Sequence, residues 1–513
     1  MRNVLAQGRW TALAVIAATI VACAGNDGGA RPGADAGSDG DTDADVDTDI
    51  DADTDADSGP DGGAPEVPAL GGAFVWIGED MASWTQARWN AELGWMAGLG
   101  MTTAVTAASV LETDALYPTA IDGLTEVAGE PIERLLTAAD GAGVEVHLGL
   151  VLTDTWWNDT DAAFLDDLTA RSEAVATELW DRYGAHPSLV GFYLPQEIDN
   201  MTWIDEDARG RLVDHYLVPL SEHVKALDPD LVVSSAPFFN TEYQGAADYG
   251  AWWGATLAET PSLDLLMPQD GIGAEHATLA DVGDYFSALG AACADNGRAM
   301  WTDLEVYALD GDAATPADMA RIADQLAYEL PLVGGSVCWE LGYLAPSRGP
   351  ASLGLYLDYL RYLDGEGTVE DVARGRSYEL STAPDATYPD PGGALTDGEA
   401  PLLFSDDPGW WSPGEIAVDV DLGAATDGLA IFAAHILRSD VSAAVSPEGV
   451  EVLASSDGAS FTPVGALAPL LDEDENANVW LLEAPASARY VRFDVTSPAG
   501  WLFIAELAVY GEN

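Results

Sequence analysis

A chain of 513 residues has room for more than one domain, and its 87 acidic against 19 basic residues leave a net charge of −68. A surface of that sign repels nucleic acid and anionic lipid, so neither is expected as a partner of the folded part. Its 48% hydrophobic content suffices for a large buried core.

Arg2 and Arg9 flank an apolar run, Trp10 to Ala22. The run is too short to span a bilayer comfortably, which takes about 20 apolar residues. Basic flank, short apolar stretch and small residues mark residues 1–22 as a secretory signal. Ile20-Val21-Ala22-Cys23 resembles the lipobox of bacterial lipoproteins. The resemblance implies cleavage before Cys23 and diacylglycerol on its thiol. Because Ala24 follows, it also implies the outer membrane, with membrane contact through the lipid anchor only. An ordinary cleaved signal with an incidental Cys is the alternative.

Residues 23–68 read as a tether. From Asp39 to Asp57 every second residue is Asp, so like charges repel, no apolar face forms and disorder is predicted. The Gly and the bidentate Glu of an EF-hand loop are not in register there, so a solvated spacer is expected, not a calcium loop. Residues 1–67 hold 14 acidic and 3 basic residues, which leaves −57 on the remainder. Cys293 and Cys338 could form a disulfide in an oxidising compartment or stay as buried free thiols.

From Ala73 short β-rich runs alternate with amphipathic helical patterns, as in an α/β fold with a parallel sheet. Eight strands are predicted, at 73–79, 102–109, 144–152, 189–197, 231–239, 263–271, 298–307 and 335–343. Eight strand–helix units over residues 69–367 predict a TIM (β/α)8 barrel. An open doubly wound sheet would usually carry a Gly-rich loop after its first strand, and Gly78-Glu79-Asp80 is not one.

The site of such a barrel lies at the C-terminal strand ends. Standing there are Trp76 and Glu79, Trp156 and Trp157, Gln196 and Glu197, Phe238 to Asn240, Gln269 and Asp270, Asp303 and Glu305, and Trp339 and Glu340. Aromatic faces stack on sugar rings, and carboxylates and amides bond hydroxyls. Glycoside cleavage needs a proton donor and a second carboxylate. Glu197 and Glu305 are the expected catalytic pair, with Asp303 read as its neighbour on the opposite strand face. Trp76, Glu79, Trp156, Gln196, Asn240, Gln269, Asp270, Asp303, Trp339 and Glu340 are the expected substrate contacts. The only lysine, Lys225, lies in a helical run, which excludes a Schiff-base aldolase. The six histidines are scattered, and no catalytic metal or cofactor is expected. His147, inside strand 3, reads as a core histidine.

These positions resemble the large clan of retaining (β/α)8 glycosidases, with an acid/base after strand 4 and a nucleophile near the end of strand 7. The clan commonly has Asn before the acid, where this chain has Gln196; Trp339 matches its Trp after strand 8. GAFVW, HPSLVGFYLPQEID, SSAPFF and LLMPQDGIG further resemble a glycoside-hydrolase-like barrel family catalogued mainly as a domain of unknown function. That resemblance implies fold and reaction class, not the sugar.

After Gly365 short strands and Gly, Pro and Asp-Gly turns predict a C-terminal all-β sandwich over residues 373–513. Its order and wording resemble the discoidin type of galactose-binding-like module. The resemblance implies carbohydrate binding, with Trp410, Trp411 and Trp501 as candidate contacts, and permits a structural calcium. The combined expectation is a surface-tethered, retaining glycoside hydrolase acting on an extracellular poly- or oligosaccharide. The alternatives are a non-catalytic carbohydrate-binding or adhesion protein on a degenerate barrel, and an inverting hydrolase or lyase using the same carboxylates.

Overall fold

The computed structural model describes residues 67–311, 313–400, 407–439, 443–471 and 477–512. Cys23 and nearly all of the predicted tether lie outside these residues. Among the described residues, no helix is long and apolar enough to cross a membrane.

Eight parallel strands form a closed ring. They are β1 (Gly72–Val75), β2 (Thr103–Thr106), β3 (Glu145–Gly149), β4 (Leu189–Leu194), β5 (Val232–Ser235), β6 (Leu265–Leu266), β7 (Ala299–Met300 continuing as Thr302–Glu305) and β8 (Ser336–Trp339). Each pairs in parallel with the next, and Cys338 of β8 stands against Ala73 of β1, closing the ring. β7 changes partner at Trp301: its first part pairs with β6 and its second with β8. β6 is shorter than its apolar run predicts because Pro268 follows and has no N–H to continue a ladder. Seven strands fall within the ranges read from the sequence, and β1 begins one residue before its range, at Gly72.

The helices are α1 (Gln86–Gly98), α2 (Pro131–Ala142), α3 (Ala162–Tyr183), α4 (Val218–Leu227, entered through a short α-helix, Glu206–Leu212, and a π-helical stretch, Val213–Leu217), α5 (Ala246–Glu259), α6 (Leu279–Asp295), α7 (Met319–Glu329) and α8 (Pro350–Leu363). Their boundaries follow local chemistry. Pro131, without an N–H, opens α2, and Gly143 at φ 71° ends it. Thr278 and Asp281 form a capping box at the start of α6.

Strand side chains alternate between two cores. Phe74, Val105, Tyr193, Leu265, Met267 and Val337 fill the barrel interior, while a larger cluster packs strands against helices. His147 points inward, its Nδ1 lies 3.0 Å from Ser234 Oγ, and burial pushes its pKa down to about 4. It is a neutral, hydrogen-bonded core histidine. Cys293 and Cys338 are both buried and free.

The C-terminal part is a sandwich of antiparallel strands: β9 (Val369–Asp371), β10 (Ser377–Leu380), β11 (Gly409–Trp411), β12 (Glu415–Leu437), β13 (Gly449–Ser455), β14 (Thr462–Ala466), β15 (Ala477–Thr496) and β16 (Trp501–Glu512). The long β12 shifts register between Asp421 and Ile431, which bends it. An apolar seam of Leu353 and Leu357 from α8 against Val369, Ile431, Ala508 and Tyr510 joins the sandwich to the barrel. Tyr510 Oη also donates to Pro350 O at 3.4 Å. Trp410 is buried and donates its indole N–H to Thr382 O, so it is core rather than a ligand contact. Trp411 is 57% exposed and stands edge-on to Trp501, ring centroids 5.3 Å apart.

Candidate active site

The alternation that places Tyr193 inside the barrel continues to Glu197, which stands at the mouth just beyond β4. Gln269 Nε2, from the segment after β6, donates to Glu197 Oε1 at 3.3 Å. Behind it, the buried Trp156 donates its indole N–H to the Glu197 carbonyl at 2.7 Å and packs on Trp203 and Tyr216. Burial is the main cause that pushes the Glu197 carboxyl up to about 7; Gln269 opposes it and Asp199 adds to it.

On β7, Trp301, Asp303 and Glu305 share the inward parity. The expectation that Asp303 and Glu305 stand on opposite faces is therefore corrected, because residues two apart in a strand lie on one face. Asp303 is 1% exposed, and its Oδ1 has no hydrogen-bond partner among the described residues. Burial first, then Glu305, Asp270 and Glu197, hold it well above the usual carboxylate range. Gln269 bridges to Asp303 along the β6–β7 ladder.

Glu305 is buried at the rim. Its Oε2 accepts the Ala274 N–H at 2.7 Å, and Arg321 of α7 donates to the carbonyls of Glu305 and Tyr307 at 2.7 and 2.6 Å. Burial and the neighbouring Asp270 push the Glu305 carboxyl up, while the Ala274 N–H, the Tyr307 hydroxyl and the Arg321 charge favour its ionised form.

The rest of the mouth is aromatic. Trp76 and Trp339 meet edge-on at 6.2 Å, and Trp339 also packs on Phe74. Glu340, joined to Trp339 by a cis peptide, accepts the Trp76 N–H at 3.2 Å. Across from them, half-buried Trp157 and Phe238 lie 6.1 Å apart.

The structure thus brings Glu197, Gln269 and Asp303 together, and sets Trp76, Trp339 and Glu340 in one wall. Four expected contacts are placed elsewhere. Gln196, 1% exposed, faces outward and donates to Val151 O at 2.9 Å, so it does not reach a substrate hydroxyl. Trp156 is buried behind Glu197. Asp270 is buried towards α7, where Gln325 Nε2 donates to it. Asn240 accepts the Glu242 N–H and exchanges bonds with Asn200, shaping its own loop. Glu79 opens the short helix Glu79–Ala82, and its side chain lies outside those described. Tyr193 was missed as a residue facing the mouth; counting by two from Gly191 finds it, as counting from Ser234 finds Phe238. Nothing in the sequence pointed to Arg321 or the Ala274 N–H.

Among the described residues, no group of three or more His, Cys, Asp or Glu side chains is placed to hold a metal ion. The Lys225 ammonium pairs with Asp264 at 2.7 Å, away from the mouth.

A search of the curated proteins gives no match. Among solved structures, a proposed alpha-L-fucosidase from Bacteroides thetaiotaomicron is 17% identical, with 62% of this chain and 99% of that one covered and a TM-score of 0.51. At that identity the likeness shows the fold. Two binding modules match at TM-scores of 0.22, too low to carry an argument. One, from Clostridium perfringens, was solved with GalNAc-beta-1,3-galactose and is 16% identical over 27% of this chain and 99% of its own. The other is a fucose-binding module of Streptococcus pneumoniae, 14% identical over 28% of this chain and 97% of its own. The sequence model of the family described as Domain of unknown function (DUF4434) matches residues 70–342, more than half of the chain, and the protein belongs to that family.

Proposed function

We propose that the barrel hydrolyses glycosidic bonds by a retaining mechanism, with Glu197 as acid/base and Glu305 as nucleophile. The observation that carries this reading is the placing of Glu197. It is a mouth carboxyl with its pKa raised to about 7, rooted by Trp156 and near the inward-facing Asp303 of β7. Such a carboxyl keeps its proton near neutrality and can hand it to a leaving oxygen. Glu305 has a backbone N–H, a hydroxyl and a guanidinium nearby to support its anion. Asp270 opposes that anion, so Glu305 ionises more readily while Asp270 holds a proton. Glu305 then bonds to the anomeric carbon as the C–O bond to the leaving group breaks, and Glu197 supplies that oxygen with a proton. In the second half Glu197 takes a proton from water, which displaces Glu305. Trp76 and Trp339 supply the ring platform and Gln269 a hydroxyl partner.

The test is a panel of aryl glycosides, α-L-fucoside included, with the product anomer followed by NMR. Retention is expected. First-formed product of inverted configuration would transfer the role of Glu305 to base activation of water. No turnover on the panel or on polysaccharides, with sugar binding intact, would favour the non-catalytic alternative.

The sandwich is read as the glycan-holding module, with the exposed Trp411 and the half-buried Trp501 beside it as its aromatic surface. It also fits a structural calcium. Glu506 is fully buried, its Oε2 lacks a partner, and burial together with Asp371 and Asp397 pushes its carboxyl up to about 9. Glu506, with Asp397 beside it, would hold the ion, whose charge would let Glu506 ionise. Calcium should then raise the melting temperature of the native protein and leave that of Glu506→Gln unchanged; equal response in both contradicts the site. Lipid attachment at Cys23 and an outer-membrane, surface location complete the reading. Loss of labelled fatty acid and release from membranes in Cys23→Ser is the expected result, and unchanged retention the contrary one.

A further inference from the structure

Asp270 faces neither solvent nor the barrel mouth, yet it is tied to three parts of the chain around Glu305: its own turn, β7 and α7. Its N–H donates to Asp303 O at 3.1 Å. Its Oδ1 accepts the Ile272 N–H at 3.0 Å and approaches the Glu305 N–H at 3.4 Å. Its Oδ2 accepts Gln325 Nε2 from α7. The first contacts pin the segment after β6 to β7. The Ile272 contact closes a turn through Gly271, at φ 68°, a conformation that suits glycine. That turn carries Ala274, whose N–H is the donor to Glu305 Oε2 at 2.7 Å. Space around the donor is tight: a Cβ on Gly273 would lie 2.8 Å from Glu305 Cβ and 2.6 Å from Tyr307 O.

We infer that Asp270 is a positioning residue for Glu305, acting through the 270–274 turn on the orientation of the Glu305 carboxyl and through its charge on the carboxyl's ionisation. The inference rests on the proposed role of Glu305. The groups facing Glu305 come from five segments: Asp270 after β6, Asp303 on β7, Tyr307 beyond it, Arg321 and Glu329 on α7, and Tyr343 after β8. Only Arg321 is cationic. Asp270 is the largest electrostatic influence on Glu305 after burial itself, and it opposes ionisation. Removing its charge should therefore lower the Glu305 pKa, while freeing the turn should misplace the carboxylate.

Asp270→Asn tests both. Two readouts are needed: a pH profile of hydrolysis, and the 13C signal of the Glu305 carboxyl, assigned by its loss in Glu305→Gln. The variant should lose kcat by about a hundredfold with KM little changed, the scale expected when a reacting group is misplaced by about 1 Å. Its acidic limb and the Glu305 carbon titration should both move to lower pH, and Asp270→Glu should restore the titration. A variant that loses stability and rate with an unmoved Glu305 titration overturns the inference, because that is what a merely structural role gives. If Asp270→Asn does not fold, the unmodified protein decides. The Ala274 amide proton should titrate with the same midpoint as the Glu305 carboxyl carbon, and an amide that ignores that ionisation is the contrary result. The NMR readouts do not need turnover, so a failed glycosidase reading and a failed Asp270 reading give different results.

Discussion

Glu197 owes its raised pKa to its surroundings: the low-dielectric mouth disfavours the anion, and the Gln269 amide only partly offsets this. Glu197→Gln keeps the shape and removes the proton. Turnover of substrates with poor leaving groups should fall by about 10²–10⁴-fold, the usual worth of general acid catalysis. The basic limb of the pH profile should disappear. Trp156→Phe tests the root. It leaves the Glu197 carbonyl without its indole donor, which should cost about 1–3 kcal/mol of stability and lower kcat more than it raises KM. A Trp156→Phe protein with unchanged melting temperature and kcat would show that the indole bond does not place the acid. Which residues at each strand end face the mouth was partly readable. Parity from Gly191 and Ser234 points to Tyr193, Glu197 and Phe238, and parity from Trp301 to Asp303 and Glu305. Gln196 was mistaken because chemistry was read without counting by two, and Trp156 because it lies in the helical turn Asp154–Trp157, outside any strand alternation.

At the scale of elements, the barrel was readable because parallel strands buried on both faces give apolar runs that alternate with helical periods. The β6–α6 connection was not. It has no apolar period, and its role follows from tertiary contacts: the Asp270 turn, the Ala274 donor and the fit of Gly273 beneath Glu305. Gly273→Ala should force Glu305 or Tyr307 aside. Activity should drop at least tenfold with little change in sugar binding, since Trp76 follows β1 and Trp339 ends β8. Kinetics beside a binding isotherm for the same variant checks this, and equal loss of both would place the strain elsewhere. The seam of Leu353 and Leu357 with Tyr510 was equally silent in sequence, because apolar residues on α8 read the same whether a helix or a second domain covers them. Deleting the sandwich would expose that seam, so Trp411→Ala is the cleaner probe of glycan holding. It should weaken polymer binding and leave turnover of a small glycoside unchanged.

For the whole molecule, charge dominates. The −57 on residues 68–513 should make stability rise with ionic strength as self-repulsion is screened, and a melting temperature flat from low to moderate NaCl would mean the charges are already compensated locally. Buried carboxyls add a pH dependence of known sign. Glu197, raised from 4.5 to about 7, and Glu506, raised to about 9, bind protons in the folded state that the unfolded chain has released. Their stabilisation is complete below about pH 4.5 and is lost as pH rises through those values. Without added calcium, the melting temperature should fall between pH 5 and pH 9 on the order of a few degrees, with the lower part of that fall reduced in Glu197→Gln. The most direct test of the glycosidase assignment is azide rescue in Glu197→Gln on an aryl glycoside that the unmodified protein cleaves. Glycosyl azide of retained net configuration at the anomeric carbon, formed faster than hydrolysis, is the expected result. A Glu197→Gln protein that turns over poor-leaving-group substrates at the unmodified rate, with no azide product, would contradict it.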